Sequence, residues 1–445
     1  MMRSQPSFCL FFCCAMLFTF QSSLKAEWPE FRGPSGQGLV KGAKLPIHFD
    51  EENSSAWKQP IPGKGWSSPV ILDNTIWLTT AVESILSEEE KEQKLKEAGL
   101  PAKRFDSLQA AAEVSLFALS INFKTGKIEK EIPLFSILEP EQIHSLNSFS
   151  SPTPILEENR IYCHFGTNGT ACIDTDTGEV LWRREIHILH SVGAGSSPVL
   201  YKDLLILVCD GLDQQFVTAL NKNTGETVWR TDRPPLRTSE PECMKSYCTP
   251  LIIKFQGKDQ MIIPGAQWFV SYDPQTGKEI WRVDHGRGWS IVPRPVYEDG
   301  IVYATTGYPS AVLWAIRVDG KGDVTETHTA WKEPRQIPFK PSPVLTDGKL
   351  FMVSDLGIAS CYEAKTGKKV WMKRLGGNYS ASPISNGEHL YFSSQEGKIT
   401  VIKASDEYEV VSESELDGQI MASPVVEGES ILLRTDQALY RFDYQ

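Results

Sequence analysis

Residues 171–182 read Ala171-Cys172-Ile173-Asp174-Thr175-Asp176-Thr177-Gly178-Glu179-Val180-Leu181-Trp182. An apolar run enters a tight polar turn closed by glycine, and a tryptophan stands four residues after that glycine. Glycine supplies the positive φ that a tight hairpin needs, so the stretch reads as two short strands joined by a turn. The pattern recurs at Ala219 to Trp229, at Ser271 to Trp281 and, more loosely, at Ala359 to Trp371. The turns are Asp176-Thr177-Gly178, Asn223-Thr224-Gly225, Gln275-Thr276-Gly277 and Lys365-Thr366-Gly367.

Working outward, each unit opens on a hydroxyl residue followed by proline: Ser68-Pro69, Ser151-Pro152, Ser197-Pro198, Thr249-Pro250, Ser342-Pro343, Ser382-Pro383 and Ser423-Pro424, with Arg294-Pro295 filling the gap. The proline spacings are 83, 46, 52, 45, 48, 40 and 41. A period of that size signals a propeller or a solenoid. Within a unit, Val199-Leu200, the turn Lys202-Asp203 and the run Leu204 to Val208 precede the glycine hairpin. Four short strands per unit make one propeller blade, and no helical periodicity competes in the repeats.

Eight anchors predict an all-β, eight-bladed propeller of four-stranded antiparallel blades. Seven blades is the competitor if Arg294-Pro295 marks an irregular insertion. The last unit ends at Tyr440-Arg441-Phe442 without a Trp strand, whereas Ala56-Trp57-Lys58 is a Trp strand without a unit. Residues 55–61 are therefore expected to complete the final blade beside residues 430–443, which removes two sheet edges. Residues 84–113 break the period with a charged, Ala/Glu/Lys-rich stretch interrupted at Gly99-Leu100-Pro101. A helical insertion projecting from blade one is expected there, either an arm or lid for a partner or a solvated excursion.

The chain has 445 residues, 41% of them hydrophobic, and 56 acids against 45 bases. A net charge of −11 supplies no positive field for a nucleic-acid backbone or an anionic membrane. Residues 1–26 read as a signal peptide: Arg3, then an uncharged run from Phe8 to Phe20, with cleavage after Ala26 or near Ser22. That run is too short to span a bilayer comfortably. The mature chain, residues 27–445, keeps 43 bases against 56 acids and is expected to be exported, to the periplasm or the cell exterior. Cys9, Cys13 and Cys14 leave with the peptide. Of the six that remain, Cys163 and Cys172 flank a Gly-Thr-Asn-Gly-Thr turn symmetrically. They form either a cross-hairpin disulfide or two small buried side chains.

The 171–182 stretch and its repeats resemble the A-x-D-x-x-T-G-x-x-x-W signature of pyrroloquinoline quinone (PQQ)-like propeller repeats. Trp28-Pro29-Glu30-Phe31-Arg32-Gly33-Pro34, followed by Gly65-Trp66-Ser67-Ser68-Pro69, resembles exported PQQ-like repeat proteins of planctomycete type. The resemblance covers residues 28–445. It implies one of two activities. Quinoprotein dehydrogenases hold PQQ and Ca²⁺ and oxidise alcohols or sugars. The propeller lipoprotein of outer-membrane barrel assembly holds no cofactor and presents loops to protein partners. This chain has neither adjacent cysteines after the signal peptide nor a lipobox.

PQQ is a planar tricarboxylate, so its site needs a flat aromatic floor, cations for the carboxylates and a hard metal ion. The loops before the Pro anchors are expected to ring one channel mouth with Trp66, Phe149, Tyr247, Arg287, Trp289, Arg294 and Tyr379, with Lys64, Asn147, Phe339, Lys340 and Asn378 nearby. These are candidate ligand-binding residues, or ordinary packing between blades. Trp57, Trp182, Trp229, Trp281, Trp331 and Trp371 keep a constant place in the repeat and are read as structural, each docking on a neighbouring blade with its N–H on a carbonyl. Asp174 to Gly178 is a turn rather than a calcium loop, because it lacks the remaining ligands. His187, His190 and Cys163-His164 are too sparse for a metal site, and His285 beside Asp284 is either a base or a loop cap. No nucleophile elbow, phosphate loop or zinc-protease helix occurs. The expected function is a non-catalytic protein- or ligand-binding scaffold without cofactor or metal. The alternatives are a PQQ-dependent dehydrogenase and a carbohydrate-binding propeller.

Overall fold

A computed structural model describes residues 28–52 and 54–445. The expected signal peptide, with Cys9, Cys13 and Cys14, lies outside the described residues. Eight sheets, each built on four antiparallel strands, follow one another along the chain at residues 70–138, 155–184, 199–232, 251–284, 296–333, 344–374, 384–415 and 425–443; the fourth carries Gly322–Asp323 as a fifth, parallel strand, and the eighth takes its fourth strand from the N-terminal region. These are blades 1 to 8. The unit after Arg294-Pro295 is a full blade, with its inner strand at Val296–Glu298. The outer strand of blade 8 is Ser55–Pro60, antiparallel to Ala438–Asp443 with Trp57 opposite Arg441 and Lys58 opposite Tyr440. The N-terminal region and the last strand therefore share one sheet, and the Ala438–Asp443 strand is not left as an open edge at the seam.

The proline anchors stand immediately before the inner strands, with one correction. The inner strand of blade 2 is Ile155–Glu157, so Thr153-Pro154 holds the place that the repeat assigned to Ser151-Pro152. Hydrogen bonds show why. The Ser68 N–H donates to Thr153 Oγ1 at 3.0 Å, the Thr153 N–H to Ser197 Oγ at 2.9 Å, and the Ser197 N–H to Thr249 Oγ1 at 2.9 Å. Across the ring, the Arg294 N–H donates to Ser342 Oγ, Ser342 to Ser382 Oγ, and Ser382 to Ser423 Oγ. Six anchor hydroxyls, from Thr153 to Ser423, thus satisfy a buried N–H of the preceding blade, a role proline cannot fill, whereas Ser68 Oγ has no partner and Arg294 brings no hydroxyl.

The turn tryptophans meet the next blade. Trp182 Nε1 donates to Lys222 O at 3.0 Å, and a Cβ placed on Gly225 would lie 2.7 Å from the indole. Only glycine permits that approach, and its φ of +73° is the left-handed conformation. Trp57 and Trp331 repeat the arrangement against Phe123 O and Ala364 O, and Trp371 bonds Ser405 O. Two members differ. Trp229 packs on the Gly277 turn, but its Nε1 has no partner. Trp281 donates to Gln260 Oε1 of its own blade at 2.9 Å. Blade 5 offers no Thr-Gly turn; instead Gly322–Asp323 pairs in parallel with Glu279–Asp284 and covers Trp281.

Cys163 and Cys172 are free thiols, which overturns the disulfide option. The hairpin register sets Cys163 opposite Ala171 and Cys172 opposite Tyr162. A one-residue offset sends the two side chains to opposite faces of the sheet. Each is buried, and burial pushes the Cys172 thiol up to about 12.

In a four-stranded meander, the links between strands one and two and between strands three and four lie at one end, the turn end. The remaining links, including those between blades, lie at the loop end. Residues 28–49 run across the turn end. Trp28 bridges to Ile71 of blade 1, Leu156 N–H of blade 2 donates to Pro29 O, and Tyr297 N–H of blade 5 donates to Gln37 Oε1. Arg32 Nη2 donates to Pro343 O of blade 6, and Val40 N–H donates to Ser385 O of blade 7. One segment thereby ties five blades together across that end of the ring.

The insertion lies between the second and third strands of blade 1. Its helix, Glu88–Glu97, starts on a capping box between Ser87 and Glu90. A 3₁₀ turn at Ala102–Ser107 follows, and residues 111–113 already belong to the third strand. The insertion folds back over the loop end: Leu108–Gln109 pairs with Ile143–His144, and Leu95, Phe105 and Leu108 pack with Val192.

Candidate binding face

The loop end is where the sequence places its candidate residues, and the structure divides them. Tyr379 is fully buried in the core of blades 6 and 7, and Phe149 in that of blades 1 and 2. Trp66 is buried, with Lys64 Nζ 5.5 Å from its ring. Tyr247 is buried, and its hydroxyl donates to His190 O at 3.0 Å. Arg294 faces the opposite mouth: its guanidinium contacts Glu30 at 3.3 Å and bonds Phe31 O and Pro250 O. Burial holds the Glu30 carboxyl above its ordinary range, with Arg294 pulling it back. Five of the seven expected ligand contacts are therefore packed between blades or engaged by the N-terminal segment. Arg287 and Trp289 remain at the surface.

Trp289 belongs to an aromatic strip. Its ring lies 5.6 Å from Tyr308, which lies 6.3 Å from Phe339. Tyr308 is 57% exposed, and Leu356 on the neighbouring blade is 66% exposed. Further exposed apolar side chains at this end are Ile85, Leu138, Leu146 and Leu189. Single exposed apolar residues are ordinary; here six of the exposed large apolar side chains stand at this one end.

A polar clamp holds the loops beneath. Glu141 accepts the His190 and Ser191 N–H groups at 3.0 and 2.6 Å. Glu242 gathers Arg104 of the insertion at 2.7 Å, Ser191 Oγ at 2.9 Å and Lys245. These contacts join the insertion to the loops after blades 2 and 3. The Glu242 carboxyl is held below its ordinary range even though burial opposes it, because these donors favour the anion. His190 is buried with both ring nitrogens unpartnered, and desolvation pulls its pKa down to about 4. The cavity it faces, between Phe149, Phe165 and Glu141, measures about 10 Å³, the room of a single water. His285 is pulled to about 4 by burial, with Nε2 2.9 Å from Gly265 O. Asp284 pairs with Arg237, not with His285, which leaves the imidazole in a loop-holding role. His164 Nδ1 lies 2.8 Å from Thr170 Oγ1. Among the described residues, no three His, Cys, Asp or Glu side chains gather as a metal-ligand set.

Glu141, Glu242, Lys245, Arg104 and the Glu30–Arg294 pair escape sequence reasoning. Apart from the local Lys245–Glu242 contact, their partners are 49 to 264 residues away, and no local motif marks them.

A family model described as outer membrane protein assembly factor BamB matches residues 42–231, 127–259, 313–408 and 357–445. Subunit 1 of the methanol dehydrogenase (cytochrome c) of Methylobacterium organophilum is 27% identical over 149 residues, 29% of this chain. The match spans only 22% of that relative's length. Among solved structures, BamB from Moraxella catarrhalis superposes with a TM-score of 0.57 at 13% identity, covering 88% of this chain and 98% of the other. A europium-containing methanol dehydrogenase superposes with a TM-score of 0.64 at 10% identity, over 93% and 90% of the two chains. At such identities the superpositions speak for the fold. The family match extends over more than half of the chain, and with the repeated turn, the tryptophans and the eight closed blades it shows that this protein belongs to the PQQ-like β-propeller family.

Proposed function

We propose that this protein is an exported, cofactor-free propeller that presents its loop end to a protein partner. The observation that carries the reading is the division at the loop end: the aromatic residues that would floor a cofactor site are packed inward, while apolar side chains stand outward around them. The family description as an assembly factor supports a scaffold, and the leader-like residues 1–26 support export.

The five buried candidate residues do not fit PQQ. A planar tricarboxylate needs an open aromatic face and free cations. Here Tyr379, Phe149, Tyr247 and Trp66 have no open face, and Arg294 is committed to Glu30 and to backbone carbonyls. The dehydrogenase reading draws on the methanol dehydrogenase match, and it has a direct test. Purified mature protein is titrated with PQQ and Ca²⁺, following tryptophan fluorescence and dye-linked oxidation of alcohols and sugars. No saturable quenching is expected. Saturable micromolar quenching with turnover would overturn the scaffold reading. The strip of Trp289, Tyr308 and Phe339 favours a second reading, carbohydrate binding, because aromatic faces stack on sugar rings. Binding of soluble oligosaccharides that Trp289→Ala abolishes would support it.

A further inference from the structure

Blade 1 is built differently from its neighbours. Its second, third and fourth strands run 11, 12 and 11 residues, whereas those of blade 2 run 5 each. The additional length carries the sheet past the loop end. At its tip Ile85 is 95% exposed and Leu138 75% exposed, and Val82 is exposed below them. Val82 stands opposite Ser115, and Ser115 opposite Ser136, two residues before Leu138. Val82 and Leu138 therefore lie on the same face of the sheet.

Next to this tip, the insertion helix borders a cleft of about 400 Å³ lined by Leu86, Glu89, Glu90, Glu97, Glu139 and Lys94. The single ammonium among these charged groups is already engaged: Lys94 Nζ donates to Ala111 O at 2.6 Å and pairs with Glu139 at 2.8 Å. Lys91 and Lys96 pair with Glu88 and Glu92 on the helix itself. Four carboxylates thus face one ammonium, next to an apolar strip. The platform is held in place by Leu95 and Phe105 below it and by the Arg104–Glu242 contact.

We propose that this cleft and strip form the docking site for a basic, amphipathic segment of a partner protein. Apolar side chains of the segment cover Val82, Ile85 and Leu138, and its Lys or Arg groups face Glu89 and Glu97. The inference rests on the scaffold reading and names the chemistry of the partner. A second copy of this chain is disfavoured as the occupant, because a chain of net charge −11 would bring more carboxylates than cations to an acidic cleft.

The test is fluorescence anisotropy at physiological ionic strength, with a labelled Leu/Lys amphipathic helical peptide and a Leu/Glu counterpart of equal length. The Leu/Lys peptide is expected to bind saturably and the Leu/Glu peptide not to bind. The double variants Ile85→Ser/Leu138→Ser and Glu89→Lys/Glu97→Lys are each expected to weaken binding at least tenfold. Val410→Ser, an exposed apolar position on blade 7, is expected to leave it unchanged. Unaltered binding by Ile85→Ser/Leu138→Ser would assign the attraction to overall charge and overturn the proposal, as would binding of neither peptide or equal binding of both. All substituted positions are exposed, and unfolding curves check that each variant is folded. Peptide binding combined with a positive PQQ titration would sink the scaffold reading while leaving the docking site standing.

Discussion

Replacing Gly225 by alanine probes the contact that repeats around the ring. The new Cβ would lie 2.7 Å from Trp182 Cε3 and 2.9 Å from Cδ2, both atoms of a rigid indole. The backbone at Gly225 also holds a φ of +73°, which costs an L-residue about 1–2 kcal/mol. Forcing a methyl into a packed contact adds about 1–3 kcal/mol. The expected loss is therefore about 2–5 kcal/mol, summed from these two terms. Trp182→Ala removes the indole and its bond to Lys222 O, so the steric part of the glycine effect vanishes in that background. A double-mutant cycle read by urea unfolding should then show the two substitutions to be non-additive by about 1–3 kcal/mol, with the double variant more stable than the sum of the singles. A Gly225→Ala cost below about 0.5 kcal/mol, the size of a surface change, or strict additivity with Trp182→Ala would refute the docking of one blade's tryptophan on the next blade's turn.

Two other outcomes are expected. His190 has a folded pKa of about 4 against an ordinary value near 6.5, so the unfolded chain takes up its proton first on acidification. Its contribution is complete above pH 6.5 and declines toward pH 4 by up to about 1.4 kcal/mol per pH unit; His190→Asn should flatten the wild-type slope by that amount in denaturant titrations, and parallel slopes would count against it. Arg294→Met leaves Glu30 without its cation and should cost about 3 kcal/mol, with part of the loss recovered by adding Glu30→Gln. Limited proteolysis should then cut within residues 28–49 first, and an unchanged digestion pattern would contradict the tying role of that segment.

The fold was legible because its signals are local. A glycine turn, a tryptophan four residues on and a proline before each inner strand are all set within a dozen residues, and their repetition counts the blades. Even the seam could be read, since an orphan Trp strand at Trp57 and a unit lacking one at its end complement each other. The slip between Pro152 and Pro154 is instructive. Both follow a hydroxyl residue, and the choice between Ser151 and Thr153 depends on which oxygen receives the N–H of Ser68, 85 residues earlier.

The candidate site was legible only as an inventory. Sequence alone determined that Trp66, Phe149, Tyr247, Trp289 and Tyr379 enter loops at one end of the ring. Whether each ring turns inward or outward depends on the space left by the neighbouring blade, which no local pattern encodes. The same holds for Trp28 to Phe49, whose polar, glycine-containing sequence has no regular period. Its path across five blades follows from backbone groups that become neighbours only when the ring closes. Local backbone chemistry, repeated eight times, was enough to specify the propeller. Long-range packing and hydrogen bonding decided which end of the ring the N-terminal segment crosses and which side chains the other end leaves exposed.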